Sequence, residues 1–275
     1  MRTNHIKQAL REGRATFGCW LSLGDLCATR VLARVGFDWL TVDLEHAPID
    51  WSQAAMLFAA IADAGCAPIA RVPQGTGDYI KRVLDAGAWG IVVPMVNTVE
   101  QAEVAIRAAK YPPLGNRSLG GTMHAMNFDA TSAEYYRHAN DEIIVILQTE
   151  STEGVENADQ IYQLPGIDVA FVGPADLRAQ MRRPDGSEAT DEEYEKLIAH
   201  VVDAGKRAGI ATGMLCFDPA SALARAEQGM QLLGVGSDAR MMTAKAQEFV
   251  AALGIQQPGA GAGGKAKRAP DVGDR

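Results

Sequence analysis

One unit recurs along the chain: an amphipathic helical stretch closes on a glycine, and a short apolar run begins within a few residues. It reads VLARVGFDWLTVDLEH, AAIADAGCAPIARVP, KRVLDAGAWGIVVPM, VVDAGKRAGIATGML and ARAEQGMQLLGVGS. The glycine supplies the left-handed residue that closes a helix. The run behind it is rich in Val, Ile and Leu without strict alternation, as in a strand buried on both faces. Strands are predicted near 16–22, 38–43, 68–72, 89–94, 143–149, 168–172, 210–215 and 232–236. Between them lie helix starts: Asp25, Asp50 and Asp78 precede helical patterns, and Thr98/Gln101 and Thr190/Glu193 have capping-box spacing. Eight strands alternating with helices predict a single closed (β/α)8 barrel of the TIM type over residues 1–255. An open doubly wound sheet is the alternative.

Composition narrows the partners. The 275 residues suit one barrel, since such domains run to ~250 residues. A net charge of −8 opposes nucleic-acid binding, which needs clustered Lys and Arg. No apolar run approaches the ~18 residues of a membrane span, and the opening MRTNHIKQALREG is too polar for a signal peptide. Cys19, Cys27, Cys66 and Cys216 form no CxxC pair and sit in apolar contexts, so four buried, reduced thiols of a cytoplasmic protein are expected. The longest irregular stretch, 111–141, contains YPPLGNRSLGG and is a candidate site loop. Residues 256–275 are Gly/Ala/Lys-rich without apolar periodicity, which predicts a disordered tail.

In a parallel barrel the chemistry gathers at the carboxyl ends of the strands. The charged residues that end the apolar runs are Asp43, Glu45, His46, Arg71 and Glu150, with Asp176 shortly after the sixth. Glu150 and Asp176 follow consecutive strands, so their carboxylates can converge. Two carboxylates without a neighbouring Cys or His suit a hard divalent ion; rim acids satisfied by loop amides or a lysine are the plainer alternative. His46 ends a buried strand, and Asp43 is near enough in sequence to orient it as a general base. Arg71 in PIARVP needs an anion, either a structural carboxylate or a substrate oxygen. GNRSLGG lacks the Lys-Ser/Thr ending of a phosphate loop, and no nucleotide site is assigned. Arg178, Arg182 and Arg183 read as a solvated charged loop or as partners for a substrate carboxylate, while Met123, His124 and Met126 line a pocket or pack a loop.

In order and spacing, FDWLTVDLEHAP, PIARVP, VVPMVNTVEQAE, YPPLGNRS, ILQTES and VGPADL resemble the class II pyruvate-dependent aldolases of the HpcH/HpaI family, from about residue 14 to 253. The resemblance implies cleavage of 4-hydroxy-2-oxo acids, such as 4-hydroxy-2-oxoheptanedioate or 2-keto-3-deoxy sugar acids, to pyruvate and an aldehyde, as in the breakdown of aromatic compounds. It implies a divalent metal (Mg2+, Mn2+ or Co2+) on Glu150 and Asp176, His46 as base with Asp43 as its partner, and Arg71 on the keto oxygen. Gln148 matches a polar neighbour of the metal and Trp20 a wall of the pocket. Gly173, Pro174 and Ala175 belong to the substrate-binding GPADL segment. Asp85 matches an acid that reaches a neighbouring subunit's site. Homo-hexamers with an exchanged C-terminal helix, here 239–252, are implied as well. Leu44 and Arg178 stand where Gly and Ser are usual, and GGTMHAMNF departs from the loop of the heptanedioate enzymes. On the same site, an oxaloacetate decarboxylase, a macrophomate-synthase-like enzyme or an acyl-CoA lyase are the alternatives.

Overall fold

A computed structural model describes residues 1–255; the expected tail at 256–275 lies outside the described residues. Eight parallel strands close into a barrel in sequence order. They are β1 (Thr16–Leu21), β2 (Trp39–Asp43), β3 (Ala67–Arg71), β4 (Gly90–Val93), β5 (Ile144–Thr149), β6 (Val169–Val172), β7 (Ala211–Cys216) and β8 (Leu232–Ser237). All eight fall within a residue or two of the apolar runs, because a strand covered by helices outside and side chains inside must be apolar throughout. The chain is therefore a (β/α)8 barrel.

Small residues decide how the interior fills. Gly18 pairs with Trp39 across β1 and β2, and a Cβ at Gly18 would stand 2.0 Å from the Trp39 ring. Trp20 packs edge-on against Trp39 at 5.6 Å and beside Phe171 at 5.4 Å. Gly213 and Gly234 leave the room these rings need, since Cβ atoms there would approach Phe171 and Trp20 within 3 Å. The three buried rings fill the lumen below the carboxyl-terminal mouth. Each contributes burial of ~150–250 Å², and polar residues are left to the mouth.

Helix chemistry follows the sequence at most positions. Asp25 and Asp50 cap their helices, and both anticipated capping boxes form. Gly209, at φ 71°, ends the helix Asp191–Ala208. Asp78 is not a cap: its helix begins at Gly77 behind Thr76, leaving Asp78 in the first turn. A further helix, His5–Arg11, lies in the polar N-terminus, capped by Asn4. Its Lys7 reaches Ile143 O at 3.0 Å and Asp168 at 3.0 Å, tying it to the amino-terminal ends of β5 and β6.

Two expectations need correction. The 111–141 stretch is not wholly irregular, since Ser132–Glu142 is a helix with its own Thr131/Glu134 capping box. Nor does the stretch lie beside the carboxyl-terminal ends of this chain's own strands. Arg2 N–H donates to Phe128 O, and Trp89 Nε1 donates to Asn127 O, so it packs at the amino-terminal end. The reason is topological: it follows the helix Val99–Ala109, which runs antiparallel to the strands and delivers the chain to the opposite end. Cysteine burial holds at Cys19, Cys66 and Cys216, but Cys27 is exposed on the helix Leu26–Leu32; all four are free thiols.

The last helix, Asp238–Ala252, buries only Asp238. Met242 and Phe249 along it are each 59 % exposed.

Candidate active site

The mouth of the barrel is built from adjacent strand ends. Asp43 and Arg71 are register partners on β2 and β3. Arg71 Nε donates to Asp43 Oδ1 at 2.9 Å, and a second guanidinium nitrogen donates to Oδ2 at 2.5 Å. Such a fork fixes the guanidinium plane. Arg71 also stands 3.5 Å from Glu45. Burial opposes its charge, but the Asp43 hydrogen bond and charge outweigh that, and its pKa is raised. The anion that Arg71 requires is thus Asp43.

This geometry alters the expected role of Asp43. Its Oδ1 also accepts the backbone N–H groups of Glu45 and His46 at 3.0 and 3.2 Å. With its oxygens so occupied, Asp43 shapes the turn after β2 rather than holding the His46 ring. The nearest acid to the imidazole is Glu45, 3.7 Å from Nε2, and the ring itself is largely exposed. Glu45 was visible at the rim in the sequence, but its partnership with both Arg71 and His46 was not. Burial raises its pKa most, with Arg71 and His46 pulling it down and Asp43 and Asp176 pushing it up.

Glu150 follows β5 and is 3 % exposed. Met95 N–H donates to its Oε1 at 2.8 Å and Gln148 Nε2 to its Oε2 at 2.9 Å. Burial pushes its pKa up to about 7; the Met95 hydrogen bond opposes this, and Asp176 and Glu45 add to it. The carboxylate lies against Gly173, where a Cβ would come 1.9 Å from Oε2. Behind Gly173, Pro174 opens the helix Pro174–Gln180, which carries exposed Ala175 and Asp176 in its first turn. Asp176 accepts no hydrogen bond and enters no ion pair among the described residues. Gln148 is 2 % exposed, and its Oε1 has no partner. A buried acid near neutrality, a second acid without a counter-ion and an orphaned amide oxygen fit an oxygen-binding cation. Among the described residues no group of three or more His, Cys, Asp or Glu could hold a metal, so a cation at Glu150 and Asp176 would need further oxygens to complete its coordination.

Other candidates fall outside this group. Trp20 lies below the mouth as an aromatic floor, with Nε1 unpartnered. Asp85 ends the helix Gly77–Asp85, which returns to the amino-terminal end, and there pairs with buried Arg117 at 2.7 Å. The distance between barrel ends keeps it from its own chain's site. Buried His124 packs 4.4 Å from Tyr135, while Met123 and Met126 are exposed. Arg178, Arg182 and Arg183 pair with Asp191, Glu188 and Glu193, which makes the loop a charged, self-satisfied surface. Sequence reasoning missed Met95. Its left-handed φ of 51° turns the N–H toward Glu150, and no side-chain pattern announces a backbone donor.

The family model for HpcH/HpaI aldolase/citrate lyase matches residues 16–244, spanning every strand just described. The chain belongs to this family. It is 36 % identical over 251 residues to the hydroxypyruvate/pyruvate aldolase of Roseovarius nubinhibens, covering 90 % of this chain and 96 % of that one. The 5-keto-4-deoxy-D-glucarate aldolase of Escherichia coli K12 is 36 % identical over 246 residues, covering 90 % and 95 %. The crystal structure of a family protein from Burkholderia cenocepacia superposes with a TM-score of 0.84 at 36 % identity, over 91 % of this chain and 99 % of that one. As a member of this aldolase family, the chain is a carbon–carbon lyase.

Proposed function

We propose that this protein is a class II pyruvate aldolase. It reversibly cleaves a 4-hydroxy-2-oxo acid to pyruvate and an aldehyde, with Glu150 and Asp176 holding Mg2+, Mn2+ or Co2+. The observation that carries the reading is the Glu150 carboxylate, seated on Gly173 beside an acid with no counter-ion. A divalent cation bound there supplies Lewis acidity to the 2-oxo acid.

The chain's own residues do the rest. Arg71 uses Nε and one terminal nitrogen on Asp43, and its Nη1 has no protein partner. That nitrogen is the donor for an oxygen on which negative charge develops. His46, exposed at the mouth, accepts the C4 hydroxyl proton directly or through water as the C3–C4 bond opens. Glu45 steadies the imidazolium that results. Gln148 holds Glu150 with its amide nitrogen and keeps Oε1 for a ligand donor. Gly173, Pro174 and Ala175 line the substrate side, and Trp20 closes the floor.

The test needs no knowledge of the aldehyde. In deuterated water the enzyme exchanges the pyruvate methyl protons; a strong chelator abolishes exchange and manganese restores it. Full exchange in chelator, with trapping of the protein by borohydride and pyruvate, overturns the reading in favour of a lysine enzyme.

The reading extends to a cytoplasmic homo-oligomer, a hexamer, in which the helix Asp238–Ala252 is exchanged between subunits. The support for this is that Met242, Phe249 and Leu253 are exposed at helical spacing, so they form one apolar face, and a contiguous apolar face marks an interaction surface. Asp85 then approaches a neighbouring subunit's site. No helix among the described residues is long and apolar enough to cross a membrane.

A further inference from the structure

We propose that the apolar cleft beside Glu45 and Met95 seats the acceptor aldehyde, and that it selects aldehydes with uncharged, apolar chains over those bearing a carboxylate. The assignment rests on the aldolase reading above and names the substrate class of that site.

The cleft has a volume of about 450 Å³ and lies between the segments that follow β3 and β4. Its apolar walls are Pro73, Val93, Pro94, Met95 and Val96, with Val104 from the helix Val99–Ala109, and Gln74 and Thr76 line it as neutral polar residues. It adjoins the site at two of its lining residues, Glu45 and Met95. Glu45 faces Arg71 at 3.5 Å and His46 at 3.7 Å, and Met95 holds Glu150 through its N–H at 2.8 Å. A substrate whose reacting carbon sits among Arg71, His46 and Glu150 can extend its far end into this space. The side chains of Met95 and Val104 are 37 % and 53 % exposed, so an alkyl chain entering the cleft would remove apolar surface on both sides from water.

Charge decides the second half of the proposal. The ionisable groups lining the cleft are Glu45 and Glu100, and no Lys, Arg or His lines it. Gln101 Oε1 accepts from Asn97 N–H and Thr98 N–H in its capping box, and its amide nitrogen, like Gln74 and Thr76, is a neutral donor that brings no charge to offset a carboxylate. A carboxylate drawn into the cleft would lose water and face two acids without a counter-ion. The arginines after β6 offer no relief, since each is paired with an acid of its own loop.

The experiment measures aldol addition with pyruvate as donor and two four-carbon acceptors, butanal and succinate semialdehyde, at low ionic strength. Oxaloacetate decarboxylation, which needs no acceptor, is followed on the same preparations. The expected result is a kcat/KM ratio favouring butanal by at least about tenfold, the scale of one uncompensated charge in a partly dry site. Val104→Arg, on an exposed helix face, brings a cation to the cleft and narrows the ratio at least fivefold. E100Q removes one of the two acids and moves it the same way by about twofold, screened by solvent. A wild-type preference for succinate semialdehyde, or a ratio that neither variant moves, overturns the cleft assignment while decarboxylation persists. Absence of decarboxylation and of methyl exchange in the wild type overturns the aldolase reading, and the cleft assignment with it.

Discussion

Gly173→Ala isolates the contact on which the site depends. The backbone at Gly173 has φ −89° and ψ 98°, an extended conformation that alanine adopts without strain. The added methyl carbon would stand 1.9 Å from Glu150 Oε2 and 3.0 Å from its Cβ and Cδ. Carbon and oxygen normally approach to about 3.3 Å, so the carboxylate must withdraw by roughly 1 Å or more. Withdrawal breaks or stretches the bonds from Met95 N–H and Gln148 and so shifts the Glu150 oxygens from their present position. A displacement of that size at a reacting centre costs on the order of 10²-fold in rate. Overpacking also costs ~1–3 kcal/mol of stability, or a few degrees in Tm per kcal/mol for a chain of this length. The assay is pyruvate methyl exchange at saturating Mn2+, with Mn2+ affinity and a thermal melt on the same sample. A folded variant with about a hundredfold slower exchange is expected. A variant with wild-type exchange and affinity would refute the reasoning, because Glu150 could then move without consequence.

Three further outcomes follow from named groups. Burial pushes the Glu150 carboxyl up to about 7, so below that pH a cation must displace its proton; Mn2+ binding by calorimetry is expected to be about tenfold weaker at pH 6 than at pH 8. Equal affinities would remove Glu150 from the ligand set. His46→Ala is expected to slow retro-aldol cleavage by ~10²–10⁴ while leaving Mn2+ affinity unchanged; unimpaired cleavage kinetics would eliminate it as the base. Burial, and then the like charge of Lys7, holds Lys110 at about 8 instead of 10.5. The unfolded chain thus binds the extra proton between those values, and the Lys110 penalty, full below pH 8, fades as pH rises. Urea melts of wild type against Lys110→Met are expected to show the wild type gaining up to about 3 kcal/mol between pH 7 and pH 10. A constant gap would contradict the assignment.

The barrel was legible because burial on both faces writes itself as uninterrupted Val, Ile and Leu between glycines. The rim was legible for the complementary reason: a charge ending such a run, as at Asp43, Arg71 or Glu150, has nowhere to be but the mouth. What escaped depends on register or on the backbone. Asp43 and Arg71 lie opposite each other on neighbouring strands, and their fork takes Asp43 from the His46 ring. Such lateral pairing cannot be counted along one strand. The Met95 N–H leaves no trace in residue type. The position of 111–141 was available in principle, since a stretch that follows a helix and precedes a strand belongs to the amino-terminal end. Its helix Ser132–Glu142 buries only Tyr135 and Ala139, too little apolar periodicity to stand out, although the Thr131/Glu134 capping box marks its start.

The central claim is that the acids after β5 and β6 jointly bind one divalent ion. Anomalous diffraction from crystals grown with Mn2+ and pyruvate tests it directly. The expected map has one strong peak about 2.1 Å from oxygens of both Glu150 and Asp176, the spacing of a small hard dication, and the peak is lost in E150Q. A peak elsewhere in the barrel, or one that survives E150Q undiminished, would contradict the account.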